Sequence, residues 1–191
     1  MNDKGRAAAW LLLIAGLGGL LLSACQKKAS VLGVRTVSKI KDFVVKAMSA
    51  AQAVAKESNL PVWLILTQAA HESGFGLSGL TLKANNLFGF TGDSWKKANK
   101  PVIEMPTTEY KDGKPYKTTR PFRRYGSWLE SMRDYARLLT TQPRYAPAIE
   151  RARAGDIAGT WDAMGRSGYA TDPGYGNKLS GVYESLKGNL G

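Results

Sequence analysis

The stretch Gln68-Ala69-Ala70-His71-Glu72-Ser73-Gly74-Phe75-Gly76 sets one carboxylate at the end of a run that is otherwise apolar (VWLILTQAA). A run of that kind reads as a buried helix, with Glu72 in its last turn. Two effects there favour the neutral acid. A negative charge meets the negative end of the helix dipole, and apolar neighbours desolvate it. A carboxyl group that stays protonated near neutral pH is the general acid that glycosidic bond cleavage requires. Gly74 and Gly76 would let a polymer come close to the backbone. The plain alternative is a surface glutamate at a fraying helix end. His71, the one histidine, points about 100° away from Glu72 on a helix and is expected to pack rather than react.

The elements that must hold this acid follow from periodicity. Ser38–Glu57 carries Ile40, Phe43, Val44, Ala47, Met48, Ala51 and Val54 at three- and four-residue spacing, which predicts an amphipathic helix. Ser58-Asn59-Leu60 breaks it, and Pro61 suits the first helical position of the central helix, which runs to Ser73. Residues 77–100 read as irregular. Val102–Tyr110 and Tyr116–Tyr125 are β-prone runs joined around Lys111-Asp112-Gly113-Lys114, in which Asp-Gly is a strong hairpin signal. Ser127 and Glu130 stand three apart as a capping box for a helix to about Thr141. Shorter helices are expected over Ala146–Ala154 and Ile157–Met164, and a last one over Tyr175–Leu186. The fold class is therefore α+β and mostly α, with a small β-hairpin lobe at about residues 101–125.

Composition narrows the chemistry. One Cys and one His exclude a disulfide framework, a cysteine-rich zinc module and a multi-histidine metal site; no metal and no cofactor is expected. Lys and Arg number 27 against 15 Asp and Glu, a net charge of +12 in 191 residues. That charge calls for an anionic partner such as nucleic acid, lipid or cell-wall polymer. No nucleic-acid-binding signature accompanies it, so nucleic acid is not expected. Lys111, Lys114, Lys117, Arg120, Arg123 and Arg124 gather on the hairpin.

Residues 1–24 stand apart from the fold. Lys4 and Arg6 precede an uncharged run, Ala7–Leu22, and Leu22-Ser23-Ala24-Cys25 is similar to a bacterial lipobox, in which the cysteine is lipidated. The alternative is a permanent or releasable membrane anchor, since Ala7–Ala24 is just long enough to span a bilayer. Residues 25–36 then read as a tether and 37–191 as one domain, exported to the periplasm, held at the membrane through Cys25, and monomeric.

Further blocks follow the Glu72 stretch. Asn85-Asn86-Leu87-Phe88-Gly89 comes first, then Ser94-Trp95-Lys96, Thr107-Thr108-Glu109-Tyr110-Lys111-Asp112-Gly113 and Phe122-Arg123-Arg124-Tyr125. Ser131-Met132-Arg133-Asp134-Tyr135, Pro143-Arg144-Tyr145 and Gly168-Tyr169-Ala170-Thr171-Asp172-Pro173 complete the series, with Lys178-Leu179 beyond. In this order, over roughly residues 37–188, they resemble the glucosaminidase domain of glycoside hydrolase family 73, carried by flagellar-rod peptidoglycan hydrolases and bacterial autolysins. Nothing in these 191 residues resembles the N-terminal rod-assembly domain of the flagellar branch.

The resemblance implies a lysozyme-like fold, with a helical lobe and a β-hairpin lobe flanking a saccharide cleft. It implies peptidoglycan glycan strands as substrate, cut at the β-1,4 bond on the reducing side of N-acetylglucosamine. Glu72 matches the family's catalytic acid, Glu109 its second carboxylate and Tyr169 a tyrosine of the cleft. If Glu109 activates water on the far face of the sugar, the two carboxyls should lie roughly 6.5–9.5 Å apart and the product should be inverted. Assistance by the substrate's own acetamido group is the other route. His71 departs from the family, which usually carries an apolar residue there. Phe88, Trp95, Tyr110 and Tyr169 are candidates for stacking on pyranose rings. Asn86 is a candidate for binding the acetamido group or for bracing its loop, and Asn85 for bracing alone. Trp63, Trp128 and Trp161 are expected in the core. A non-catalytic wall-binding or assembly protein of the same fold, a phage lysis enzyme and a membrane-bound nucleic-acid or lipid-surface protein are the competing classes.

Overall fold

The computed structural model describes residues 36–111 and 114–190, without the side chains of residues 109–111. Cys25, the apolar run before it, most of the expected tether and the hairpin tip Asp112-Gly113 lie outside the described residues. From Ile40 onward the chain forms one unit.

Helix α1 spans residues 36–58. Its apolar stripe, Ile40, Phe43, Val44, Ala47, Ala51 and Val54, is buried in the core. Helix α2, Val62–Ser73, lies at the centre, with Leu64, Ile65, Leu66, Ala69 and Ala70 wholly enclosed. Burying each larger side chain is worth about 1.5–3 kcal/mol, and this continuous apolar surface is what fixes α2 as the axis. Pro61 stands one place earlier than expected. It precedes the first helical residue in extended conformation, and its carbonyl accepts from Leu64 N at 3.1 Å.

Residues 77–100 are more regular than their composition suggests. Helix α3, Gly79–Ala84, is capped by the Ser78 hydroxyl, which accepts from Thr81 N at 3.1 Å. Helix α4, Asp93–Lys97, follows. Both are too short to show a helical period.

Strands β1, Val102–Lys111, and β2, Lys114–Arg123, pair antiparallel from Val102 opposite Arg123 to Lys111 opposite Lys114. That register leaves a two-residue tip, as the Asp-Gly signal predicts. Pro106 and Pro115 fit because each strand of a ribbon keeps an open edge; at Pro121 residues 90–92 lie along that edge of β2, and the Pro121 carbonyl accepts from Gly92 N at 2.7 Å. Strand β2 ends two residues before the expected Tyr125. Tyr125 turns inward instead, is buried, and donates its N–H to Ala84 O at 2.9 Å.

Helix α5, Trp128–Thr141, starts at Ser127, whose hydroxyl accepts from Glu130 N at 3.3 Å. The reciprocal arm reaches one residue further back: Glu130 Oε2 accepts from Gly126 N at 2.9 Å. A 3-10 turn over Pro143–Tyr145 leads into α6, Ala146–Arg153. Helix α7, Ile157–Arg166, is capped by Asp156, and α8, Tyr175–Leu186, packs on both α7 and α2. At the α7–α8 crossing, a Cβ on Gly176 would lie 2.5 Å from the Trp161 carbonyl oxygen, so only glycine fits.

The base of the hairpin is bolted to α5. Asp134, 8% exposed, accepts from Arg123, Arg137 and the Tyr125 hydroxyl, the last at 2.7 Å. Burial alone would raise its pKa, but the hydrogen bonds from Arg137, Tyr125 and Arg123 outweigh it and hold the carboxyl below the usual range. Arg123 Nε also donates to Thr91 O at 3.1 Å, tying in the 86–91 loop. The result is a mostly helical α+β fold with a two-stranded lobe; Trp128 and Trp161 lie in its core, and Trp63 packs edge-on against Trp161.

Candidate active site

Glu72 occupies the last turn of α2 because the chain stops turning helically just beyond it. Phe75 N donates to Ala70 O at 2.8 Å and Gly74 N to His71 O at 3.4 Å, a Schellman closure with Gly74 at φ 58°. Gly76 is buried at φ 78°, and a Cβ there would meet Trp128 at 2.5 Å. Gly76 therefore serves the turn and the core and offers no open backbone to a polymer. That corrects its expected role.

The half-buried Glu72 side chain faces a cleft of about 460 Å³. His71, Phe88, Phe90, Tyr145, Tyr169 and Tyr175 contribute rings to its walls, and Arg144 and Asp172 contribute charge. Burial raises the pKa of Glu72. A hydrogen bond from Tyr175 Oη to Oε1, at 2.7 Å, and the nearby His71 oppose the rise without cancelling it. The sequence argument on desolvation thus gives the right sign.

Tyr169 lines the cleft, with its ring stacked on Tyr175 at 5.7 Å and 11°. Its hydroxyl is covered and has no partner among the described residues. Burial, and then the neighbouring Glu72, push its pKa well up, so it is a neutral donor. His71 packs edge-on against Tyr175 at 5.5 Å, as a packing histidine should, yet it also forms part of the cleft wall. Arg144 lies on the rim over the Tyr145 ring at 4.6 Å and donates to Gly168 O at 3.2 Å. Asp172 is paired with Lys178 and accepts from Gly174 N at 2.8 Å.

The other expected site residues divide. Asn86 is not a ligand-binding side chain. It is 1% exposed, and its amide donates to Phe90 O and Arg123 O at 2.9 Å each while accepting from Phe90 N at 3.1 Å. Its polar atoms are spent on bracing the loop and the hairpin base. Asn85 braces as expected, in left-handed conformation with its amide donating to Tyr125 O at 3.1 Å. Phe88 lies in the cleft floor at 5% exposure, one face stacked on Tyr135 at 4.2 Å, so that face is not open to a sugar. Trp95 is placed on α4 beside Tyr125 and Arg123 and does not line the cleft around Glu72. Glu109 and Tyr110 ride on β1 opposite Tyr116 and Pro115, in the outer part of the hairpin. Their side chains lie outside those described.

Of the basic hairpin cluster, Arg123 and Arg120 are committed to Asp134 and Asp93, and Lys117 donates to Thr108 Oγ1. Among the described residues, no three His, Cys, Asp or Glu side chains come together as a metal site. Arg144, Phe90 and Tyr175 are cleft residues that sequence reasoning did not single out. One signal for Tyr175 was available. Gln68 is a polar residue on the apolar helix exactly one turn before Glu72, and such a residue must find a buried partner.

A helical lobe carrying a partly desolvated carboxyl at a ring-lined cleft, beside a two-stranded lobe, defines a lysozyme-like glycoside hydrolase domain. A C-terminally truncated glycoside hydrolase domain of FlgJ from Salmonella typhimurium matches it at TM-score 0.63 and 38% identity, over 78% of this chain and 98% of that one. The catalytic domain of the autolysin Auto from Listeria monocytogenes matches at TM-score 0.67 and 30% identity, over 78% and 85%. The family model described as "Mannosyl-glycoprotein endo-beta-N-acetylglucosaminidase" matches residues 48–188. This chain belongs to that glucosaminidase family of glycosidases. The peptidoglycan hydrolase FlgJ of Salmonella typhimurium is 41% identical over 153 residues, 77% of this chain and 46% of its own length. The exo-glucosaminidase LytG of Bacillus subtilis is 34% identical over 147 residues, 74% and 50%. The chain spans about half the length of these two relatives.

Proposed function

We propose that this chain hydrolyses peptidoglycan at the β-1,4 bond between N-acetylglucosamine and N-acetylmuramic acid, with Glu72 as proton donor. The observation that carries the reading is the half-buried Glu72 carboxyl in the ring-lined cleft, its pKa raised by burial. The similarity to relatives named as peptidoglycan hydrolases supports the substrate class. In the reaction the bond from the anomeric carbon to the leaving oxygen breaks. Its electron pair goes to that oxygen, which takes the Glu72 proton.

The anomeric carbon is then attacked in one of two ways. In the first, water attacks directly and gives its proton to Glu109, with inversion. In the second, the substrate's acetamido oxygen attacks, and water later opens the ring so formed. Tyr169 suits a contact to the sugar in either route. Arg144 on the rim suits lactyl or peptide carboxylates of the wall.

Export and attachment belong to the same proposal: cleavage before Cys25, lipidation of Cys25, and a domain from about residue 37 held at a membrane in the periplasm. A releasable anchor over residues 1–24 is the alternative. Fatty-acid analogue labelling that Cys25→Ser abolishes supports lipidation, and labelling unchanged in Cys25→Ser removes it. The activity is tested by digesting purified sacculi and weighing the fragments. New reducing ends at N-acetylglucosamine are expected; ends at N-acetylmuramic acid would make the enzyme a muramidase.

A further inference from the structure

Among the described residues Glu72 has no ion-pair partner. It is held by a chain of three hydrogen bonds that begins deep in the core. Tyr135 Oη, on α5, donates to Gln68 Oε1. Gln68 Nε2, on α2, donates to Tyr175 Oη at 2.8 Å. Tyr175 Oη, on α8, donates to Glu72 Oε1 at 2.7 Å. Tyr135 and Gln68 are fully enclosed, and Tyr175 is 2% exposed.

The order of donors matters because each hydroxyl has one proton. The Gln68 amide gives its N–H to the Tyr175 oxygen, so the Tyr175 proton is free to go to the carboxyl. A reversed Gln68 amide would draw the Tyr175 proton to itself and leave an ionised Glu72 facing a lone pair. Buried networks of this kind fix one arrangement when every member is satisfied. Packing supports the same end: the Tyr175 ring is clamped between Tyr169, stacked at 5.7 Å, and His71, edge-on at 5.5 Å.

We propose that Tyr175 and Gln68 are positioning residues for the proton donor: they hold Oε1 of Glu72 as an acceptor, so that the transferable proton resides on Oε2. This rests on the reading of Glu72 as the acid. Because the Tyr175 bond favours the ionised carboxyl, it also limits how far burial raises the pKa and keeps the acid within working range.

The test is Tyr175→Phe, which keeps the ring and removes one hydrogen bond. Two quantities are read. One is the titration of the Glu72 carboxyl carbon by NMR. The other is kcat, KM and the alkaline limb of kcat/KM on soluble glycan fragments cut from sacculi. The Glu72 titration and the alkaline limb should both move up by about one pH unit. The kcat should fall about tenfold with KM little changed. A purely structural role would lower the folded fraction and move neither titration.

Tyr135→Phe, which lets the Gln68 amide turn, should shift the same titration in the same direction by less, and it serves if Tyr175→Phe folds poorly. An unmoved Glu72 titration or an unchanged kcat in a folded Tyr175→Phe overturns the proposal. Glu72→Gln, run in parallel, separates the two claims. If it retains activity, the acid assignment fails. If it is inactive while Tyr175→Phe titrates normally, the positioning role alone fails.

Discussion

Asp134→Asn tests how the hairpin lobe is attached to the helical lobe. The carboxylate accepts from three donors. Arg137 is largely exposed, and its bond counts for little. Arg123 and Tyr125 are covered, and a hydrogen bond to a charged acceptor is worth about 1.5–3 kcal/mol. Asparagine keeps one acceptor but turns an N–H₂ toward donors, leaving the Arg123 charge unmatched. The net loss is about 3 kcal/mol, which lowers the melting temperature of a domain this size by about 6–12 °C.

The pH dependence has a definite sign. The Asp134 pKa is lowered in the folded state, so its contribution is complete above the unfolded value of about 3.9 and is lost as pH falls through the folded value. The wild type should therefore exceed the variant fully at pH 7, and the gap should close on acidification. Thermal unfolding followed by circular dichroism across that range measures both. A melting temperature within about 2 °C of wild type at neutral pH, or a gap that persists in acid, would refute the reasoning. Hydrolysis should fall too, because β1 carries Glu109.

Three further outcomes follow from the same contacts. Gly176→Ala gains about 1 kcal/mol of helix propensity, but its Cβ meets a backbone oxygen that cannot rotate away. A net loss of about 1–3 kcal/mol is expected in denaturant titration. Glu109→Gln should cut the rate about a hundredfold or more if that carboxylate activates water; a mild loss in single-turnover assays selects the acetamido route. Arg144→Gln should weaken binding to sacculi several-fold and flatten its salt dependence, read by co-sedimentation at low and high ionic strength.

The long helices were legible because their periodicity is unambiguous. The expected end of α2 at Ser73 and the expected bounds of α8, Tyr175–Leu186, are those observed. The hairpin followed from Asp112-Gly113, and the sign of the Glu72 shift from its apolar surroundings. What stayed hidden depends on distant packing. Gly76 faces Trp128 across 52 positions of sequence, and nothing local says that a glycine after an acid is reserved for a core indole. Asn86 could equally have faced a ligand; only the positions of Phe90 and Arg123 decide that it does not. Tyr175 reaches Glu72 across 103 positions, a distance no spacing rule spans. Helices α3 and α4 were missed because five or six residues are less than two turns.

The most direct measurement is digestion of purified sacculi by Glu72→Gln beside the wild type, with circular dichroism to confirm the fold and mass analysis of the released fragments. The carboxamide keeps the shape and can still accept from Tyr175, but it has no proton to give. The account predicts fragments ending in reducing N-acetylglucosamine from the wild type and none from the variant. Clearing of sacculi by a folded Glu72→Gln would contradict it.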